Sequence, residues 1–123
     1  MTRTDRPSDL ILVNLEPALG TEQRGTRPAI NISTIEMNTI TQRVIICPIT
    51  NNTHYWPSKV LLPTGLAASG AILVDQVRSI DRNTRVLRFL GTVPDAVLAE
   101  VRAKLAALVA IPFISNGQQG DQT

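Results

Sequence analysis

Ahead of residue 94 this chain offers no sustained helical pattern, only a series of short, β-branched apolar runs cut apart by proline, glycine and polar residues. The plainest is RVIICPIT (43–50), which ends on Thr50. Runs this short, bounded by turn-forming residues, read as strands. DLILVNL (9–15) reads as a buried strand, and AINIST (29–34) alternates as a half-buried one should. SKVLL (58–62) and AILVDQVRSI (71–80) add two more, the second running into a polar tip. TRVLRFLG (84–91) alternates arginine with aliphatic residues and fits an edge strand or a connector, while IEMNTIT fits one short helical turn. Only PDAVLAEVRAKLAALVA (94–110) keeps a helical period. There Val97, Leu98, Val101, Leu105, Leu108 and Val109 form one apolar face, expected on the core or at a dimer seam. Pro94 suits a first turn, Asp95 complements the helix dipole, and Pro112 blocks continuation. Five or six strands and one terminal helix imply a mainly β (α+β) fold, a small β-barrel capped by a C-terminal amphipathic helix.

A chain of 123 residues fits a single domain, since about 100–200 residues per domain is usual. We expect that domain over residues 9–111, with flexible tails at 1–8 and 112–123. Aromatic residues are 3% of the total, so the core has to be aliphatic. A net charge of +2 tolerates a polyanionic partner without demanding one. The single cysteine, Cys47, excludes an internal disulfide and a cysteine-based zinc site, and it sits in an apolar run as a buried hydrophobe would. One histidine excludes a histidine cluster, so no metal or other cofactor is expected. No apolar stretch approaches the ~20 residues of a membrane span, and the N-terminus has no apolar signal region. The expected compartment is the cytoplasm, with no membrane partner.

Three polar clusters interrupt the apolar framework, each at a strand end: TEQRGTRP (21–28), TNNTHYW (50–56) and DQVRS (75–79). They carry guanidinium, hydroxyl, amide and carboxylate groups, but no metal-ligand set, glycine-rich phosphate loop or Ser-His-Asp order. A guanidinium matches a phosphate with a two-pronged fork, and hydroxyls and amides complete the hydrogen bonds. The second cluster also holds the chain's only histidine, tyrosine and tryptophan, consecutively at 54–56. Cations for the backbone and rings for the bases suit single-stranded nucleic acid. Arg82, Arg85 and Arg88 could extend a phosphate track, or simply guard an edge strand against sheet pairing.

LILVNLEPALGTEQRGTRPAI, VIICPIT, ILVDQVRSID and VLAEVRAKLAALV resemble, in that order, the MazF/PemK toxins of bacterial toxin–antitoxin systems. The resemblance implies a small SH3-like barrel acting as a homodimer, and a sequence-specific endoribonuclease that needs no metal. It also implies a cognate antitoxin whose extended segment occupies the RNA groove. Carried onto this chain, the arginine of G-x-RP is Arg27 and the threonine ending PIT is Thr50, the expected catalytic pair. Glu22 and Gln23 belong to the same loop as supporting groups, with Glu22 and Arg27 both open as the base. Asp75, Gln76, Arg78 and Ser79 match the family's second polar tip and are expected to bind RNA, as are Asn51, Asn52, His54, Tyr55 and Trp56.

The chain departs from the family in two places. RPSDL replaces a glycine-containing RGD-like run, and His54-Tyr55-Trp56-Pro57 replaces a lysine followed by Gly-Tyr-Pro. The second change sets a histidine, able to bind phosphate when charged, beside two rings. One ring is expected to face the barrel and the other to meet a base, since adjacent residues on an entering strand point to opposite sides. The same fold also occurs in CcdB-like gyrase poisons, which are not enzymes and carry a C-terminal tryptophan motif; no tryptophan follows Trp56 here. A catalytically silent member that only binds RNA or antitoxin is the remaining alternative.

Overall fold

A computed structural model describes residues 6–112. Seven strands and three helices run in the order β1 (Asp9–Asn14), β2 (Thr26–Asn31), α1 (Ile35–Thr41), β3 (Arg43–Thr50), β4 (Lys59–Leu61), β5 (Ala71–Leu73), β6 (Arg78–Asp81), α2 (Arg82–Arg85), β7 (Val86–Thr92) and α3 (Asp95–Leu108). The strands pair antiparallel along the path β4-β5-β3-β2-β1-β7, with β6 also on β3. The two ends of that path, β4 and β7, do not pair with each other, so the expected barrel is open rather than closed. The expected loose ends lie mostly outside the described residues. Of the first, Ser8 is buried and its backbone bonds to Asn31 and Val93, which ties the approach to β1 onto the sheet.

AILVDQVRSI is two strands rather than one. β5 pairs with the far half of β3 (Ile49–Ile72, Thr50–Ala71) and β6 with the near half (Arg43–Asp81 to Ile46–Arg78). A 3-10 turn at Val74–Gln76 joins them. The reason lies in the pairing: β5 and β6 take different halves of β3, and between them Val74–Gln76 pairs with no strand. α1 is capped by Thr34, whose hydroxyl accepts from Met37 N (3.2 Å). α2 is capped by Asp81, whose carboxylate accepts from Thr84 N and Thr84 Oγ1, both at 2.8 Å. Those two bonds, the hydroxyl one first, hold the Asp81 carboxyl below its ordinary range.

The sheet buries both faces, and side-chain alternation sorts the core cleanly. Leu10, Ile30, Cys47 and Ile49 join Val97, Leu98 and Val101 of α3 in the larger cluster. Ile11, Val13, Ala29, Val44, Ile46 and Ile80 form a smaller cluster on the other face. This two-sided burial is why β1 reads as a continuous apolar run instead of alternating. Cys47 is fully buried, and burial, followed by the charge of Asp75, pushes its thiol up to about 12. The apolar stripe of α3 stops short of expectation: Leu105 packs on the core, but Leu108 and Val109 are exposed because the last turn projects past the larger cluster.

Candidate active site

Alternation decides which candidate residues can meet. On the face of the smaller cluster, β2 continues from Ala29 to Arg27, β3 from Ile46 through Pro48 to Thr50, and β6 from Ile80 to Arg78. The strands are antiparallel, so all three rows leave the cluster at the same end, where Leu15 follows β1. Carrying the Ala29–Pro48 register two residues outward sets Arg27 opposite Thr50. A guanidinium and a hydroxyl 23 positions apart in sequence thus share one end of one face.

Arg27 is partly exposed, and its Nε donates to Arg24 O at 2.8 Å. That bond orients the fork and leaves both Nη groups without a hydrogen-bond partner among the described residues. Thr50 is 9% exposed; its Oγ1 accepts from Asn52 N (3.1 Å), so its own proton remains available to an acceptor. Gly70 keeps this end tight: at φ +119°, any Cβ there would collide with the Thr50 carbonyl.

Beside this row lies a cavity of about 420 Å³ lined by Glu22, Gln23, Pro48, Asp75, Gln76 and Arg78, among others. Arg27 and Thr50 are not in its lining. Its wall is the 16–25 loop, built round Glu16. The Glu16 carboxylate accepts from Gly25 N (2.7 Å) and pairs with Arg24 (3.3 Å), while Arg85 donates to the carbonyls of Asn14 and Glu16. Glu22 Oε1 accepts from Leu19 N (2.7 Å) and so stays in the loop's own turn. Gln76 fastens the loop to the 3-10 turn, accepting from Gln23 N (3.1 Å) and donating to Thr21 O (3.3 Å). Gln23 turns its Oε1 into a buried position with no hydrogen-bond partner among the described residues. Arg78, partly exposed, makes no ion pair among the described residues.

A second cavity, of about 360 Å³, shares Gln23, Asp75 and Gln76 with the first and adds Asn52, His54, Tyr55 and Trp56. The two make one groove. Its outer wall, the 51–57 loop, is pinned by lysines: Lys59 Nζ donates to Asn52 O (2.9 Å) and His54 O (3.0 Å), and Lys104 Nζ to Pro57 O (3.0 Å). Asn52 Oδ1 accepts from His54 N (3.0 Å) in a local Asx turn. Tyr55 is 79% exposed and Trp56 58%. The expectation that one ring faces the barrel is therefore wrong, because both lie on the loop outside any strand, where alternation does not apply. Asn51 and His54 are exposed on the same loop.

Ser79 does not reach the groove. It stands opposite Ile45, on the face away from Arg78, and Arg43 donates to both its hydroxyl and its carbonyl at 2.9 Å. Of the three arginines, Arg82 donates to Asn38 O (2.8 Å) and Arg85 braces the 16–25 loop, so these two are staples, while Arg88 is exposed on β7. Sequence reasoning missed the loop-holding residues Glu16, Lys59 and Lys104. Only Gly70 carried a readable signal, a glycine beside a strand where another backbone comes close. Among the described residues no group of three or more His, Cys, Asp or Glu could hold a metal ion, so the groove offers a phosphate guanidinium, amide and hydroxyl groups. No helix among them is long and apolar enough to cross a membrane.

Comparison with known proteins gives this arrangement a family. The Escherichia coli (strain K12) endoribonuclease toxin MazF is 36% identical over 101 residues, covering 82% of this chain and 90% of that one. The Escherichia coli endoribonuclease PemK is 29% identical over 105 residues, covering 82% and 79%. Among solved structures, MazF from Deinococcus radiodurans superposes with a TM-score of 0.83 at 37% identity, covering 89% of this chain and 99% of that one. The same organism's MazE–MazF complex gives 0.78 at 32%, covering 90% and 100%. Residues 6–109 match the PemK-like, MazF-like toxins of type II toxin-antitoxin systems, and the chain belongs to that family.

Proposed function

We propose that this chain is a sequence-specific endoribonuclease toxin that cuts single-stranded RNA by attack of the ribose 2′-hydroxyl on its own phosphodiester, with no metal required. The observation that carries this reading is the placement of Arg27 and Thr50 at one end of one sheet face, beside a polar groove lined by Arg78 and edged by exposed rings. RNA brings its own nucleophile, so the protein has only to align it and stabilise the growing charge. Arg27 holds the phosphoryl oxygens with its free Nη pair and Thr50 donates its hydroxyl proton to the same oxygens. The 2′-oxygen bonds to phosphorus, the bond to the 5′-oxygen breaks, and the departing oxygen takes a proton from solvent. The 2′-proton needs a base. An arginine is effectively always protonated, which favours the Glu22 carboxylate in the cavity wall for that role. The products are a 2′,3′-cyclic phosphate and a 5′-hydroxyl.

The relatives include toxin structures solved with antitoxin, which supports an antitoxin segment lying in this groove; the homodimer and the cytoplasmic site of action are carried over with the family resemblance. The test is to incubate the purified chain with long unstructured RNA in EDTA and map fragment 5′ ends. Discrete cuts ending in 5′-hydroxyl are expected. Arg27→Ala should lose cleavage by about a hundredfold to a thousandfold, the usual effect of removing one transition-state donor, while unfolding at the same temperature as wild type. Undiminished cutting by that variant refutes the assignment of Arg27.

A further inference from the structure

The groove does not stop at Trp56. A third cavity, of about 400 Å³, is walled by Trp56, Pro57, Ala107 and Leu108 and shares Trp56 and Asp75 with the second. Its lining is mostly apolar, yet it includes Ser58, which is 6% exposed and whose hydroxyl has no hydrogen-bond partner among the described residues. An unpaired buried hydroxyl is a cost, and a turn of the Ser58 side chain about χ1 would bring it to a polar group entering the cavity. Lys104 contributes a cation to the same lining, with its ammonium already holding the loop at Pro57 O and Lys59 O.

We propose that this cavity is a nucleobase slot, so that Trp56 is a partition with one base of the bound RNA on each side. The inference rests on the ribonuclease reading and extends it from the scissile phosphate to a flanking nucleotide. The chemistry selects the occupant. A base has two apolar faces for Trp56 and Leu108 and a polar edge for the Ser58 hydroxyl. An aliphatic side chain from a protein partner would fill the space while leaving that hydroxyl unpaired. The exposure of the indole and its share in the lining of two cavities of similar size fit a ring stacked on both sides.

The experiment uses the chain's only tryptophan as its probe. Non-cleavable 2′-O-methyl RNA oligonucleotides, one intact and the others each carrying a single abasic position, are titrated against the protein while Trp56 fluorescence is followed. Intact RNA should quench the signal, and two neighbouring abasic positions should each weaken binding at least about fivefold, the lower end for one base stacked on a ring. Ala107→Phe, at an exposed helix position, and Ser58→Phe fill the slot from opposite walls. Each should weaken intact RNA by a similar factor and erase the penalty at one of the two abasic positions only. Unchanged abasic profiles in both variants overturn the slot. So does loss of antitoxin binding with RNA binding intact, which gives the cavity to the protein partner. If RNA binds in this pattern but the wild type cuts nothing, the slot stands and the enzymatic reading falls. If intact RNA fails to bind the wild type, both fall.

Discussion

Between Glu16 and Gly25 the chain is held largely by its own side chains, and between Asn51 and Pro57 largely by two lysines from outside. In the first loop the Glu16 carboxylate, Glu22 and Arg24 all bond back to the loop's backbone or to each other. In the second, Lys59 and Lys104 grip backbone carbonyls and leave the side chains of His54, Tyr55 and Trp56 exposed. The difference separates two tasks on one groove. A loop braced by its own charged side chains can fix the position of Arg27, whose Nε rests on the Arg24 carbonyl. A loop held by its backbone can present rings to a ligand without altering its own anchorage.

Of changes to the two loops, the larger effect should follow from removing the anchor of the first. Glu16→Ala leaves Gly25 N without its charged acceptor and Arg24 without its ion-pair partner. A hydrogen bond to a charged group contributes roughly 1.5–3 kcal/mol, so urea unfolding should show a loss of about 2 kcal/mol. Cleavage should fall by roughly tenfold or more in kcat, because a 1 Å misplacement of a catalytic group can cost as much as a hundredfold. A kcat that survives while KM rises would mean that this loop only binds RNA, and the contrast between the loops would collapse.

Releasing the second loop should do less and something different. Lys59→Met keeps the aliphatic stem and removes the ammonium that joins Asn52 O to His54 O. Both bonds are solvent-exposed, so the stability lost should be within about 1 kcal/mol. We expect RNA affinity to fall several-fold and the choice of cleavage sequence to broaden, with kcat on the preferred site nearly unchanged. Steady-state kinetics on a preferred and a mismatched RNA measures both; a matching fall in kcat would make the two loops one functional unit.

This division of labour was only half visible in the sequence. RVIICPIT could be bounded as a strand from its composition, and Arg27 and Thr50 were singled out by the family resemblance that EQ-x-G-x-RP and PIT carry. Alternation along β2 and β3 then gives the shared face once the register is known. What could not be read was anything set by backbone carbonyls. Lys59 sits in SKVLL like any edge-strand lysine, and nothing near it shows that its ammonium closes a loop over Asn52 and His54. The break in AILVDQVRSI was hidden for a related reason. Its residues suit a strand singly, and only the competition of β5 and β6 for different halves of β3 forces the 3-10 turn that brings Asp75 and Gln76 to the groove. Ser79 was drawn in by its neighbours in DQVRS, although a one-residue step from Arg78 points it to the opposite face.

The smallest expected effect is the absence of one, and Cys47 reports it. The thiol lies three residues before Thr50, fully buried, and its ionisation is pushed up to about 12. Thiolates, not thiols, react with alkylating reagents, so the folded chain should be nearly inert at pH 8. Labelling should proceed through open states in which the thiol has its ordinary value near 8.5. The rate should then rise about tenfold per pH unit between 7 and 8, with amplitude set by the opening equilibrium. Lys59→Met should label within about fivefold of the wild-type rate, the most that a loss of 1 kcal/mol allows, because the carbonyls it releases lie on the exposed loop. Glu16→Ala should label faster by the factor its lost stability predicts, about thirtyfold for 2 kcal/mol. If Lys59→Met instead labels as fast as Glu16→Ala, the lysine-pinned loop is part of the cooperative core, and its rings are positioned by the same stability that positions Arg27.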